Sequence, residues 1–306
     1  MEIVQIERIK NYFVKFLLPS ARKEWKNRNK YIFNDIDRPI IDKRVNLFWT
    51  GTYKGQITDH ENLGDYLSLI IVNNLLQERG INFENEVDTT YYLYAIGSII
   101  GWGYQDAVIW GSGLLNNKNA LRCLRQKLDI RAVRGPRSRE ILLYYGIECP
   151  EIYGDPACLL PRYYYPKMKK KYQYSLILHH NSKLRKNKDV QQFMEENKIH
   201  YIEIMTTDYR RFVEEILQSD VVISSALHGI ILAESYKVPT IFLREELNQD
   251  IKYEDWYFST KRYNYKYITE LKDIIFYNAN CIPDIEDMQR KLIESFPYDL
   301  WCKNNV

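Results

Sequence analysis

The stretch that decides the fold is Asp220-Val-Val-Ile-Ser-Ser-Ala-Leu-His-Gly-Ile-Ile-Leu-Ala-Glu-Ser-Tyr-Lys-Val-Pro239. Its first apolar run ends at Ser224, a short polar turn follows, and a pattern with helical spacing begins near His228. This order predicts a buried strand, a turn and a helix, the unit from which parallel sheets are built. The first N–H groups of such a helix lack partners within the helix, so they favour an anion there.

The same alternation extends in both directions from this stretch. Strands are predicted at residues 45–49, 92–96, 107–110, 130–134, 174–178, 201–205, 221–224 and 240–243, and helices at 63–79, 136–146, 209–218 and 285–296. Residues 161–173 interrupt it with two prolines, three consecutive tyrosines and a cluster of lysines, which predicts an interdomain linker. The sequence therefore predicts an α/β protein with two Rossmann-like, doubly wound domains that face a cleft.

We predict four segments along the chain. Residues 1–40 form a basic N-terminal arm, 41–165 an N-terminal Rossmann-like domain, 166–283 a C-terminal, donor-binding Rossmann-like domain, and 284–306 a C-terminal helix and tail. The arm has apolar residues at helical spacing among lysines and arginines, which suits either contact with anionic lipid or docking on its own domain. Acidic residues interrupt the basic run and favour docking.

Composition excludes several classes of protein. The net charge of +3 gives no support for a nucleic-acid surface. The five cysteines are widely spaced and form no CxxC pair, which argues against disulfides and thiolate metal sites, and no His/Asp/Glu cluster has metal-ligand spacing. We therefore expect no metal. No apolar run approaches the roughly 18 residues of a membrane span, and no signal peptide is apparent, so we expect a cytoplasmic protein.

His228 is the leading candidate for chemistry because it stands at a strand–turn–helix junction. The helix dipole disfavours its protonated form, whereas a bound carboxylate or phosphate would favour it. Such a histidine could gain a proton as an anionic substrate arrives and then act as a general acid. The alternative is a histidine that only caps the turn. Ser224, Ser225 and Gly229 would bind substrate beside it.

A second strand–turn–helix junction carries two arginines. Arg134 lies at the predicted strand end and Arg137 in the first helical turn. Arginine near a helix N-terminus is unfavourable unless an anion is bound there, and guanidinium groups suit bidentate contact with carboxylate or phosphate. This favours a functional Arg134 and leaves Arg137 open between substrate binding and a structural role.

Four weaker motifs supply further candidates. The first is the helix start at residues 62–65, which suits binding of a sugar hydroxyl, and the second is the glycine-rich strand end at 110–113, which lacks the GxGxxG spacing of a dinucleotide site. The third is the Asp-Pro turn at 153–157, and the fourth is the lysine at 252, which follows the last strand. Each also has a purely structural interpretation. The candidate residues in these motifs are Asn62, Gly64, Asp65, Gly111, Ser112, Gly113, Asp155 and Lys252.

Taken in order over roughly residues 45–260, these motifs resemble the polysaccharide pyruvyltransferase family. The resemblance implies a fold similar to the two-domain GT-B glycosyltransferases. It also implies transfer of pyruvate from phosphoenolpyruvate to two hydroxyls of a saccharide as a cyclic ketal, in cell-surface polysaccharide synthesis and with no cofactor. Arg134, His228 and Lys252 match positions regarded as active in the family. Many relatives have arginine where this chain has Ala226, so donor binding would rest on the remaining cations or the helix start.

Two other functions remain open at this point. A glycosyltransferase with a nucleotide-sugar donor would use Glu234 for the ribose and the helix start for the diphosphate. A non-catalytic module for polysaccharide assembly would not need His228. We expect a saccharide acceptor in either enzyme, and a lipid-linked acceptor would give the basic arm a membrane contact.

Overall fold

The chain folds into a mixed α/β structure built on two parallel sheets. The computed structural model describes residues 40–49, 61–102, 106–123, 127–245, 250–276 and 278–302. The predicted basic arm at 1–40 lies, but for its last residue, outside the described residues. The boundaries predicted for the four segments stay predictions.

The first sheet has four parallel strands in sequential order. They are β1 (Val45–Phe48), β2 (Tyr91–Tyr94), β3 (Asp106–Trp110) and β4 (Lys127–Ala132). The helices of this half are α1 (Leu63–Gln77), α2 (Asn117–Cys123) and α3 (Pro136–Tyr144).

The second sheet also has four parallel strands, but in the order β6-β5-β7-β8. They are β5 (Tyr172–Ile177), β6 (His200–Tyr201), β7 (Ser219–Ser224) and β8 (Thr240–Phe242). The helices are α4 (Lys188–Glu196), α5 (Tyr209–Leu217), α6 (Leu227–Ser235), α7 (Asp250–Ser259) and α8 (Glu286–Glu294). Short 3₁₀ helices span Pro156–Arg162, Lys183–Lys186, Leu271–Phe276 and Tyr298–Trp301. Because the chain passes from one side of β5 to the other, a crevice opens between the carboxyl ends of β5 and β7.

Helix α1 begins as the sequence predicts. The side-chain oxygen of Asn62 accepts a hydrogen bond from the backbone N–H of Gly64 at 3.1 Å, which caps the helix. One face of the helix, including Leu67 and Ile71, is buried in the core. The start of α1 is therefore fixed where it approaches the second sheet.

Each predicted strand is observed with somewhat shifted bounds, and two of them end early for reasons that the structure shows. The strand expected at 201–205 covers only His200–Tyr201, because the backbone N–H of Met205 donates to Glu203 and Met205 instead forms an isolated bridge with Asn62. The strand expected at 130–134 ends at Ala132, because Val133 pairs with Tyr153. In both places the pairing partner comes from a distant part of the chain. It is Asn62 of the first half for Met205, and Tyr153 of a later loop for Val133.

The hydrophobic core is continuous between the sheets. One buried cluster contains Leu47 and Leu67 of the first half together with Ile177 and Ile230 of the second. Helix α8, whose packing partner the sequence left open, reaches the first sheet, since the indole N–H of Trp110 donates to the carbonyl of Leu292 at 2.8 Å. No helix in the described part of the chain is long and apolar enough to cross a membrane.

Candidate active site

A cavity of about 230 Å³ lies at the carboxyl ends of the strands of both sheets. Its lining from the first half is Asn62, Asp65, Ser98, Ile99, Trp102, Leu115 and Arg134. Its lining from the second half is His179, His180, Asn181, Ile204, Ala226, Leu227, His228 and Lys252. Five of the predicted site residues thus share one pocket. The first and the last of them are more than 180 positions apart in the sequence.

His228 lies in the first turn of α6 and contacts the start of α1. A Cβ atom at position 64 would overlap its imidazole ring, so only glycine fits beneath the ring. The Nε2 atom of His228 is 3.5 Å from Oδ2 of Asp155. Both atoms are buried, and neither has a hydrogen-bond partner among the described residues. The two atoms therefore face each other as the available partners for one proton.

Asp155 is completely buried and lies behind the ring of His228 rather than in the pocket lining. Its other oxygen, Oδ1, accepts a hydrogen bond from the backbone N–H of Ala157 at 3.0 Å and so caps the 3₁₀ helix Pro156–Arg162. One carboxylate thus fixes a turn and orients a pocket histidine. Asp155 is not part of the cavity lining, and its expected role in substrate binding stays a prediction.

Arg134 is completely buried and forms an ion pair with Asp255 of α7. Its Nε and Nη2 donate to Asp255 Oδ2 at 3.2 and 3.0 Å, Nη1 donates to Ser98 at 2.6 Å, and Nη2 also donates to the carbonyl of Leu114 at 2.9 Å. These bonds engage four of the five guanidinium N–H groups. The remaining N–H is on Nη1, and Arg134 lines the cavity.

The anion expected at the start of the α3 helix is a carboxylate of the protein. Asp255 Oδ1 accepts the backbone N–H of Ser138 at 2.8 Å, and Oδ2 accepts the hydroxyl of Ser138 at 2.6 Å. Burial raises the pKa of Asp255, while the adjacent Arg134 opposes that shift. The anion at the start of α3 therefore belongs to α7 and not to a substrate.

Lys252 brings a second cation to the cavity from α7. Burial, followed by the positive charge of Arg134, lowers the pKa of Lys252 to about 7, while Asp65 and Glu245 oppose that shift. The ammonium group can therefore gain or lose a proton near neutral pH. This property suits a group that responds to the charge of a ligand.

Two histidines that the sequence analysis did not single out also line the cavity. His179 and His180 follow β5 after Leu178, at the edge where the strand order changes. The backbone N–H of His179 donates to the hydroxyl of Ser225 at 2.9 Å, which joins the loops after β5 and β7. Two polar residues after a strand were the available signal, but their importance depends on strand order, which the sequence does not show.

Several predicted site residues support the pocket without lining it. Ser112 accepts the backbone N–H of Arg134, and Gly113 gives space to its guanidinium group. Gly111 packs against Pro156, and Gly229 packs against Ser224. Ser225 accepts hydrogen bonds from His179 and, at its carbonyl, from Tyr253.

Two charged residues predicted to bind substrate are engaged elsewhere. Glu234 is almost completely buried, and its carboxylate accepts two hydrogen bonds of 2.7 Å from Arg262, one of 2.6 Å from Trp256 and one of 2.9 Å from Thr240. Arg137 pairs with Glu254 at 2.7 Å and with Glu140, away from the cavity lining. Neither residue is brought to the pocket.

Two known proteins are similar to this chain. The chain is 27% identical over 253 residues to an uncharacterized protein of Acanthamoeba polyphaga mimivirus, covering 79% of this chain and 87% of the viral protein. It is also similar to the crystal structure of a functionally uncharacterized protein from Klebsiella pneumoniae, with 15% identity and a TM-score of 0.46 over 74% of this chain and 93% of that one.

The family comparison is more informative. Residues 62–246, more than half of the chain, match the model of the family described as polysaccharide pyruvyl transferase. The matched region begins at Asn62, which caps α1, and it contains His228 and Arg134. The chain therefore belongs to the polysaccharide pyruvyl transferase family.

Proposed function

We propose that this protein transfers pyruvate from phosphoenolpyruvate to two hydroxyls of a saccharide and forms a cyclic ketal. The observation that carries the proposal is the cavity at the carboxyl ends of both sheets, where His228, Lys252 and Arg134 meet. Phosphoenolpyruvate has a carboxylate and a phosphate, so its site needs N–H donors and positive charge in one small space. We further propose that the two sheets belong to two domains arranged as in the GT-B fold, and that the protein acts in the cytoplasm.

The reaction requires protonation at one carbon and attack at its neighbour. A proton adds to the methylene carbon of phosphoenolpyruvate, and the first hydroxyl oxygen bonds to the adjacent carbon as its own proton leaves. The bond from that carbon to the phosphate oxygen then breaks, and the second hydroxyl completes the ketal. The methyl group keeps one proton, the released phosphate takes the other, and no redox partner is needed.

His228 is the proposed general acid. Asp155 lies 3.5 Å from Nε2 and orients the ring, which leaves Nδ1, beside Gly64 at the start of α1, as the nitrogen proposed to deliver a proton to a ligand. Lys252 and the remaining N–H of Arg134 would stabilise the carboxylate and the departing phosphate. Asp65 lies in the same lining and suits an acceptor hydroxyl.

A nucleotide-sugar donor is not favoured by the position of Glu234. That hypothesis requires the carboxylate to face the cavity and hold a ribose, whereas Arg262, Trp256 and Thr240 occupy both of its oxygens. A lipid-linked saccharide remains a proposal for the acceptor, tied to the basic arm at residues 1–40.

The first test is ligand binding measured by thermal unfolding. A ligand at ~100 times its dissociation constant adds about 2.7 kcal/mol of stability, which raises the unfolding temperature by several degrees. We expect this rise with phosphoenolpyruvate and not with nucleotide sugars. A rise with a nucleotide sugar alone would overturn the proposed donor.

The second test is turnover with candidate saccharides. Release of inorganic phosphate from phosphoenolpyruvate should require both the saccharide and His228, and the product should carry a ketal methyl group detectable by NMR. His228→Asn should lose this activity, whereas His200→Asn, which changes a histidine outside the cavity, should keep it. Undiminished transfer by His228→Asn would contradict the assigned role, and a non-catalytic module would show no transfer in any variant.

A further inference from the structure

The protonation states of His179 and His180 are set by the groups around them. Both residues follow β5 and line the cavity opposite the start of α6. The Nδ1 atom of each ring faces an N–H donor of the protein, the backbone N–H of Asn181 for His179 and the side-chain amide of Asn62 for His180. The histidine pair therefore has a different chemical character from His228, whose Nε2 faces a carboxylate.

The tautomer of His180 follows from the cap of α1. Asn62 uses its side-chain oxygen to accept the backbone N–H of Gly64 at 3.1 Å, so its amide nitrogen is the atom 3.1 Å from Nδ1 of His180. An amide nitrogen can only donate. Nδ1 of His180 must therefore accept, and the ring proton is carried by Nε2.

The tautomer of His179 follows from the next turn of the loop. Its Nδ1 accepts the backbone N–H of Asn181 at 3.2 Å, so its ring proton is also on Nε2. Protonation of either ring would direct a new N–H at an existing donor. Burial lowers the pKa of His179 to about 3, with Lys252 acting in the same direction. Burial, followed by the charge of Lys252, also lowers the pKa of His180.

Among the cations of the lining, Arg134 has little donor capacity left. Four of the five N–H groups of Arg134 are engaged, and Asp255 balances its charge. Apart from Arg134, Lys252 is the one lysine or arginine in the described lining. Ala226 caps α6 without a side-chain hydrogen bond. Besides the N–H groups at the start of α6, the loop after β5 therefore offers an oxyanion the imidazole N–H groups of His179 and His180.

We propose that His179 and His180 are neutral N–H donors that bind an oxyanion group of the ligand, a carboxylate or a phosphate, through Nε2. They hold the group in place and transfer no proton, which leaves proton transfer to His228. The other titratable groups near the pair are Asp65, Arg134, Arg185, His228 and Lys252. The inference rests on the proposed function only for identifying the oxyanion as part of phosphoenolpyruvate.

The test uses sulfate, an oxyanion whose charge does not change near neutral pH. Its dissociation constant is measured by calorimetry at about pH 6 and about pH 8 for the wild type and for paired variants of each histidine. Glutamine keeps an N–H donor near the position of Nε2 and cannot become a cation, whereas alanine removes the donor. His200→Ala, outside the cavity, is the control for loss of a histidine.

We expect His179→Ala and His180→Ala each to weaken sulfate binding by about 10-fold, the loss of one hydrogen bond to a charged group. His179→Gln and His180→Gln should stay within about 2-fold of the wild type and show the same dependence on pH. The proposal is overturned if the glutamine variants bind as weakly as the alanine variants. It is also overturned if wild-type affinity at low pH rises relative to the glutamine variants, or if the wild type binds no sulfate.

A second arm separates this inference from the proposed function. Inorganic phosphate and pyruvate are titrated in the same variants, and the one weakened by the alanine changes identifies which group the histidines hold. Phosphoenolpyruvate should displace sulfate. If sulfate binding follows the expected pattern but phosphoenolpyruvate does not compete, the histidine pair stands and the proposed donor is wrong.

Discussion

The substitution Lys252→Met should stabilise the protein in the absence of ligand. Lys252 is buried in the cavity wall, and burial lowers its pKa from 10.5 to about 7. Each pH unit between those values corresponds to about 1.4 kcal/mol, so the charged form costs the folded protein up to roughly 5 kcal/mol below pH 7. Methionine keeps most of the apolar stem and removes the ammonium group.

The effect should depend on pH in a defined direction. Because the folded pKa is lower than the unfolded pKa, the unfolded chain binds more protons between about pH 7 and 10.5. Wild-type stability from this group should therefore increase as pH rises through that interval. The advantage of Lys252→Met should shrink from roughly 5 kcal/mol at pH 6 to about 2 kcal/mol at pH 9.

Thermal unfolding at several pH values measures both the stability difference between Lys252→Met and the wild type and the dependence of that difference on pH. A chain of this size gains roughly 1.5 °C per kcal/mol, so the variant should unfold about 7 °C higher than the wild type at pH 6 and about 3 °C higher at pH 9. Lys169→Met changes an exposed lysine and should have little effect at either pH. Equal stability of the wild type and Lys252→Met at pH 6 would refute the reasoning.

Three other substitutions test the supports of the pocket. Asp155→Asn removes the charge that faces His228, so kcat should fall about 100-fold; an unchanged kcat would contradict the pairing. Gly64→Ala places a Cβ atom where the ring of His228 lies, so transfer should be lost while the circular dichroism spectrum is retained, and normal turnover would contradict the observed contact. Glu234→Gln weakens a buried pair with Arg262 and should cost about 3 kcal/mol of stability without changing the affinity for phosphoenolpyruvate, whereas a selective loss of nucleotide binding would support a ribose-binding role.

Local patterns were sufficient for the elements that bring the pocket together. A strand, turn and helix around His228, a second such unit around Arg134, and the cap at Asn62 are all visible as short-range periodicity and turn chemistry. These units predict residues at strand ends, and strand ends of parallel sheets lie at one edge. This explains why Asn62, Arg134 and His228 were predicted and are found in one cavity.

The rest depended on contacts between distant residues. Asp255 fills the anion position at α3 from 121 positions beyond Arg134, and no local pattern relates the two. Glu234 lies on a helix whose sequence suits a ligand-facing carboxylate, but Arg262 and Trp256 occupy it from a later part of the chain. His179 gains its importance only from strand order. Contacts between distant residues and the order of strands in the sheet therefore determine the roles of these residues, which local periodicity cannot predict.

Helix α7 contacts both halves of the chain and also supplies a cation to the pocket. Tyr253 donates to the carbonyl of Ser225 beside the second sheet, and Asp255 holds Arg134 beside the first. Lys252, the residue before Tyr253, lines the cavity. Any widening of the crevice would hydrate Lys252 and restore its affinity for a proton. Release or uptake of a proton at neutral pH would therefore report how far the two sheets stand apart, and a pH indicator dye could follow the opening and closing of the crevice in solution.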